Sequence, residues 1–175
     1  RHTRYISVTG VQTCALPIYF AYGAACSEVV VDRRTGEYRL LATDILHDVG
    51  QSLNSAIDRG QIEGGFAQGL GWLTTEELVW DEQGVLKTVG ASTYKIPTAA
   101  DLPEHLNIEF WHQANPVDNV GGSKAVGEPP FMLAFSVFEA LRDAIGQACP
   151  GHEPIRLDAP ATPERVWRAL QRHGQ

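Results

Sequence analysis

Apolar positions along this chain recur first with a period of two and then with a period near 3.6, and the change of period marks a change of element. Ala25–Asp32 (ACSEVVVD) is rich in β-branched residues, Arg33–Glu37 carries a glycine at position 36, and Tyr38–Asp48 resumes the strand pattern. Strand, glycine-containing turn and strand predict a hairpin. From Asn54 the spacing turns helical: Ile57, Gln61, Ile62, Gly65, Phe66, Gly69, Leu70 and Leu73 share a face, and Asn54 suits the N-cap. Trp80–Val85 reads as a second hairpin turn with Leu86–Val89 returning. Gly90–Gly122 is loop-rich, broken by Pro97, Pro103 and Pro116, with Ile108–Trp111 as a short strand inside it. Pro129-Pro130 opens a helix to Ile145, since proline is tolerated where the first-turn N–H has no partner anyway. Thr162-Pro163-Glu164 places an N-cap and a proline at N1 of a last helix running to about Gln171. Hairpins and helices together predict an α+β fold, a mixed or antiparallel sheet packed by helices, rather than a doubly wound parallel one.

Composition narrows the classes. Hydrophobic residues make up 43% and charged residues 20%, so a core can be buried. A net charge of −7 lacks the clustered basic face that phosphates require, and no nucleic-acid partner is expected. No apolar run approaches the roughly 20 residues of a membrane span. Cys14, Cys26 and Cys149 are too few and scattered for a disulfide framework, and none sits in a CxxC or His/Cys cluster. With no signal peptide pattern, the expected location is cytoplasmic. Residues 1–18 (RHTRYISVTGVQTCALPI) stand apart, with two arginines and no acid. They are similar to translated sequencing-adapter sequence. The expectation is a non-native junction at 1–18, with the natural chain continuing upstream of Tyr19; the alternative is an ordinary poorly ordered terminus.

The densest chemistry lies in Gly121–Pro130 (GGSKAVGEPP). A glycine-containing loop delivers one carboxylate, Glu128, to the mouth of the helix expected from Pro129. Unpaired N–H groups there favour the charged form, and an ionised carboxylate against a pocket is a natural general base. The competing reading makes Glu128 only a helix cap, in a non-catalytic α+β assembly module. Gln61 is a second candidate, on a helix face where Gly60, Gly64 and Gly65 leave room for a bound group; its amide both donates and accepts. The competing reading there is close helix–sheet packing. The six histidines are not paired at i, i+4 and none lies beside a cysteine, so no protein-ligated metal is expected. Ser123 and Lys124 lack the spacing of a Ser–Lys hydrolase and read as backbone or ligand hydrogen-bonding groups.

Ser123–Pro130 (SKAVGEPP) and Gly60–Gly71 (GQIEGGFAQGLG) together closely resemble the xanthine oxidase/aldehyde oxidase family of molybdenum hydroxylases, and within it the xanthine dehydrogenase type. Asp48–Asn54, Ser92–Pro97 and Asp158–Glu164 resemble it in the same order, so the likeness spans Tyr19 to about Leu170. It implies that residues 19–175 are the C-terminal part of a molybdopterin-binding domain. Glu128 matches the family's catalytic glutamate, which takes a proton from a metal-bound hydroxyl while a hydride leaves the substrate carbon. Gln61 matches a position that hydrogen-bonds the pterin cofactor, and the backbone at Val126 and Gly127 would line the molybdenum pocket. The implied cofactor is the molybdenum-pterin group (Moco), with 2Fe-2S clusters and FAD on other domains or subunits. The implied substrate is xanthine or hypoxanthine, or else another N-heterocycle or an aldehyde, and the full protein is expected to be oligomeric. Loops that grip the purine in the family would precede Tyr19, so this stretch alone is expected to bind no cofactor, to turn nothing over and to dissolve poorly.

Overall fold

In the computed structural model, which describes residues 20–149, 151 and 154–173, a three-stranded sheet is covered on one face by helices. The expected junction at 1–18 lies outside the described residues. Strand β1 (Gly23–Val31) pairs antiparallel with β2 (Tyr38–His47), and β2 pairs parallel with β3 (His105–Phe110), giving a mixed sheet in the order β1-β2-β3. The α+β expectation is met.

The hairpin turn closes through the Asp32 and Glu37 backbone, with Gly36 at φ 77°. That left-handed conformation favours glycine, and a Cβ there would run into the Pro163 carbonyl. The pairing shifts register between Glu28 and Val29, where Glu28 faces Ala42 but Val29 faces Leu40. Leu41 is therefore the extra residue of a bulge, and the bulge inverts the alternation of β2. Before it, Leu40 points into the core; after it, Thr43, Ile45 and His47 do. The inversion carries His47, a polar residue, onto the buried face.

Helix α1 (Ser55–Thr74) starts where expected: the Asn54 side chain accepts hydrogen bonds from the Ala56 and Ile57 amides. It buries Ile62, Phe66, Leu70 and Leu73. Its glycines divide into two groups. Gly65 and Gly69 lie against the backbone of the 127–134 segment, and Gly71 against Glu76 and Pro97; Gly60 and Gly64 face open space. Close packing therefore accounts for Gly65, Gly69 and Gly71, whereas Gly60 and Gly64 leave the open room beside Gln61 that the sequence suggests.

Two expected elements differ. The second hairpin shrinks to a single bridge between Trp80 and Leu86, because Asp81 satisfies the turn amides of Gln83 and Val85 itself and the flanking residues bury little. The helix expected from Pro129 begins as a 3-10 turn, Pro129–Ala134, and becomes α2 only at Phe135–Ala148. Two consecutive prolines withhold two N–H donors, and the close approach to Gly65 and Gly69 holds the segment along α1. The last helix, α3 (Pro163–His173), follows Thr162 as expected. Helix α2 buries Val137, Phe138, Leu141 and Ile145 under the sheet, and α3 adds Val166, Ala169 and Leu170 to the same core.

Candidate functional site

The loop from Val120 to Glu128 is fixed residue by residue before it reaches its carboxylate. Gly121 and Gly122 both adopt φ 65°, which turns the chain sharply. The turn is braced by side-chain amides: Asn115 donates to the Gly122 carbonyl at 3.1 Å and Asn119 to the Ser123 carbonyl at 2.6 Å. Beyond it the chain pairs briefly with the exit of β2. Gln51 N–H donates to Gly122 O at 2.8 Å, Lys124 N–H donates to Val49 O at 2.9 Å, and Gly50 and Ser123 form an isolated antiparallel bridge.

Lys124 is buried. Its ammonium lies 2.5 Å from Asp48 Oδ2 and donates to the Phe20 carbonyl at 3.0 Å, while Asp48 Oδ1 accepts from Gly50 N–H at 2.9 Å. The backbone contact expected for this side chain is present at Phe20, and an internal ion pair with Asp48 that the sequence did not announce is added to it. Ser123 Oγ only approaches its neighbour's carbonyl at 3.5 Å. Beside them sits His47, 1% exposed, with neither ring nitrogen in a hydrogen bond of good geometry among the described residues. Burial pulls its pKa below the usual value, and the nearby Ala125 backbone and the Asp48 charge offset that only in part. The ring is neutral at physiological pH. Gly23 makes room for it, since a Cβ there would come within 2.7 Å of Nδ1.

Four residues past Lys124 the chain reaches Glu128. Val126 is half-buried and packs toward the core, whereas Gly127 and Glu128 are exposed. They open onto a cleft of about 840 Å³, whose other walls include Gln68, Phe131 and Met132. Glu128 occupies the cap position of the 3-10 turn, yet its side chain makes no cap hydrogen bond. Its carbonyl accepts from Phe131 N–H at 3.0 Å, so the backbone closes the turn and leaves the carboxylate free of that duty. The helix-cap alternative is not realised.

Gln61, in the second turn of α1, is exposed. A Cβ built on Gly127 would sit 3.6 Å from Gln61 Oε1, and one built on Gly65 would sit 3.2 Å from the Gly127 carbonyl. The Gly65 position thus brings the loop close enough for Gln61 and Gly127 to be neighbours. Gln61 therefore lies beside Gly127, but neither Gln61 nor Val126 lines the cleft at Glu128, where the glutamine of α1 in the wall is Gln68. Sequence reasoning missed His47, Asn115 and Asn119, and it gave Asp48 no role. Asp48 and Lys124 lie 76 positions apart, and nothing local announces the pair.

Comparison with known proteins adds the following. The profile of a family described as a molybdopterin cofactor-binding domain matches residues 3–103. Xanthine dehydrogenase/oxidase of Gallus gallus is 49% identical over 154 residues, covering 86% of this chain and 11% of that protein. Aldehyde oxidase 1 of Bos taurus is 47% identical over 158 residues, covering 87% of this chain and 12% of that protein. Among solved structures, the Cu,Mo-CO dehydrogenase in its carbon monoxide reduced state superposes with a TM-score of 0.76 at 26% identity, over 88% of this chain and 19% of that one. The chain spans about a tenth of the length of the curated relatives it matches.

Proposed function

This chain belongs to the molybdopterin cofactor-binding domain family of molybdenum hydroxylases, and on that premise we propose that it forms one wall of the cofactor site of a xanthine dehydrogenase-type oxidoreductase, with Glu128 as the general base. The observation that carries the reading is a carboxylate at the cap position of a turn that caps nothing and faces a cleft.

The residues present fit the implied group. Gly127 offers bare backbone beside the cleft, where a side chain would take up the space. Gln61 supplies an uncommitted amide next to it, suited to a pterin edge that carries both donors and acceptors. When bound, the molybdenum-pterin group would supply the two-electron oxidation that hydroxylates the substrate carbon. Gln61 and the Gly127 backbone would orient that group, and Glu128, at its carboxylate oxygens, would accept the proton that the hydroxylation releases. The buried Lys124–Asp48 pair places no free cation in the cleft, so the base keeps its charge for the proton rather than for an internal partner. Xanthine or hypoxanthine is the proposed substrate. An aldehyde or another N-heterocycle is the second reading, favoured by the 47% identity to an aldehyde oxidase. Iron–sulfur and FAD modules outside this segment would carry electrons away, in a cytoplasmic, oligomeric complex.

The test is urate formation from xanthine by the full-length subunit with its partner modules, wild type against Glu128→Gln. The carboxamide keeps the shape and removes the base, so kcat should fall roughly 10²–10⁴-fold with molybdenum still bound. A Glu128→Gln enzyme of wild-type rate would overturn the assignment of the base. A loaded wild type that oxidises aldehydes but makes no urate would replace the substrate and keep the site.

A further inference from the structure

The loop that carries Glu128 is held at two places, and only one of them is apolar packing. Downstream, the Gly127 carbonyl, Pro130 and Phe131 seat against Gly65 and Gly69 of α1. Upstream, Lys124 is pinned by an ion pair whose side chains are 5% and 13% exposed. Its ammonium bridges Asp48, at the end of β2, and the carbonyl of Phe20, just before β1. Asp48 is fixed in turn by the Gly50 amide, and the backbone at 49–51 pairs with that at 122–124. A buried ion pair adds little net stability compared with apolar residues of the same volume, because both ions lose their hydration. What it does supply is direction: the charges have one good partner each, so the loop has one register.

We propose that the Lys124–Asp48 pair is a positioning latch, which sets where the 125–128 segment leaves the sheet and so where the Glu128 carboxylate stands in the cleft. The proposal rests on Glu128 acting as the base. Neither latch residue lines the cleft, and both act through the four-residue span to Glu128. Breaking the latch leaves the α1 contact intact, so the loop stays on the domain but loses its upstream anchor. Substrate and cofactor binding then persist, while the carboxylate spends less time in its productive place.

The experiment uses the full-length subunit with its partner modules and compares Lys124→Met, Asp48→Asn and the Asp48→Asn/Lys124→Met double variant, with Lys124→Arg as the conservative change and Glu128→Gln as the reference. Either single change should lower kcat by about 10- to 100-fold, as a displaced catalytic group does. KM should stay within about threefold and the molybdenum content should be unchanged, since the loss falls on the chemical step. The double variant should be no slower than the slower single variant, because both break one contact. Lys124→Arg should recover part of the rate. Should Lys124→Met not fold, Asp48→Asn, which changes a charge and hardly any volume, decides. Wild-type kcat in Asp48→Asn and Lys124→Met, with Glu128→Gln inactive, would overturn the latch and spare the base. Loss of molybdenum in Asp48→Asn would overturn it too, by making the pair a determinant of folding. A fully active Glu128→Gln would overturn the underlying reading instead.

Discussion

His47 carries the most unusual environment of any single residue here. The β2 bulge turns it inward, Gly23 clears space for its ring, and neither nitrogen has a hydrogen-bond partner among the described residues. A buried polar group in that condition costs stability in its neutral form and more in its charged form. Because the folded pKa lies below the ordinary 6.5, the unfolded chain binds the proton more readily. The neutral-ring contribution to stability is therefore complete above about pH 6.5 and is lost as the pH falls from there through the lowered folded value. Amide exchange protection at Ile45–His47, corrected for intrinsic rates, should decline over that window in the full-length subunit. His47→Leu should flatten the decline; an unchanged acid slope in that variant would show that another group titrates. Asn54, Glu128 and Gln61 could be singled out from their neighbours in sequence alone. His47 could not, because a one-residue bulge decides which face an alternating strand buries, and the bulge is a property of the pair of strands.

Among the elements, α1 separates local from tertiary control most clearly. Its start follows from a side chain within three residues of the amides it caps, so Asn54 suffices to locate it. Its glycines serve different ends, and spacing does not distinguish them. A methyl added at Gly69 would press into the Phe131 carbonyl and the Ala134 side chain, whereas at Gly64 it would meet nothing within 4 Å. Gly69→Ala should therefore destabilise the 175-residue chain by about 1–3 kcal/mol through overpacking. Gly64→Ala should stabilise it by about 1 kcal/mol through helix propensity. Thermal unfolding of the two variants checks both, and equal shifts would refute the division of the helix. The delayed start of α2 has the same origin. The sequence places Pro129 and Pro130 in a helix's first turn, but the segment runs along the glycine face of α1 in a 3-10 turn before it winds into an α-helix.

At the scale of the whole molecule, the cleft at Glu128 is open to solvent, and Gln61, Gly127 and Glu128 all stand exposed. Trp72 packs tilted against Phe131 and edge-on against Phe135 at ring-centroid distances of 5.2 and 5.9 Å, an aromatic cluster in which Trp72 and Phe135 remain partly exposed. A pterin cofactor with so little buried surface has few contacts to hold it. The 175-residue chain, expressed in a host that makes the cofactor, is expected to purify with molybdenum far below one atom per chain by elemental analysis; stoichiometric metal would overturn that expectation. Local chemistry in the sequence determined the β1–β2 hairpin, the caps of α1 and α3, the α+β class and, through two long motifs, the family and its candidate base. Those features depend on residues within a few positions of one another, so spacing encodes them. Only the tertiary structure decided that β3 pairs in parallel with β2, that Lys124 turns to Asp48 rather than to a ligand, and that Glu128 caps nothing while Gln61 comes to lie beside Gly127. The strand pairing, the ion pair and the Gln61–Gly127 approach each join segments tens of residues apart, where the partner is chosen by burial and close backbone approach and no local pattern records it.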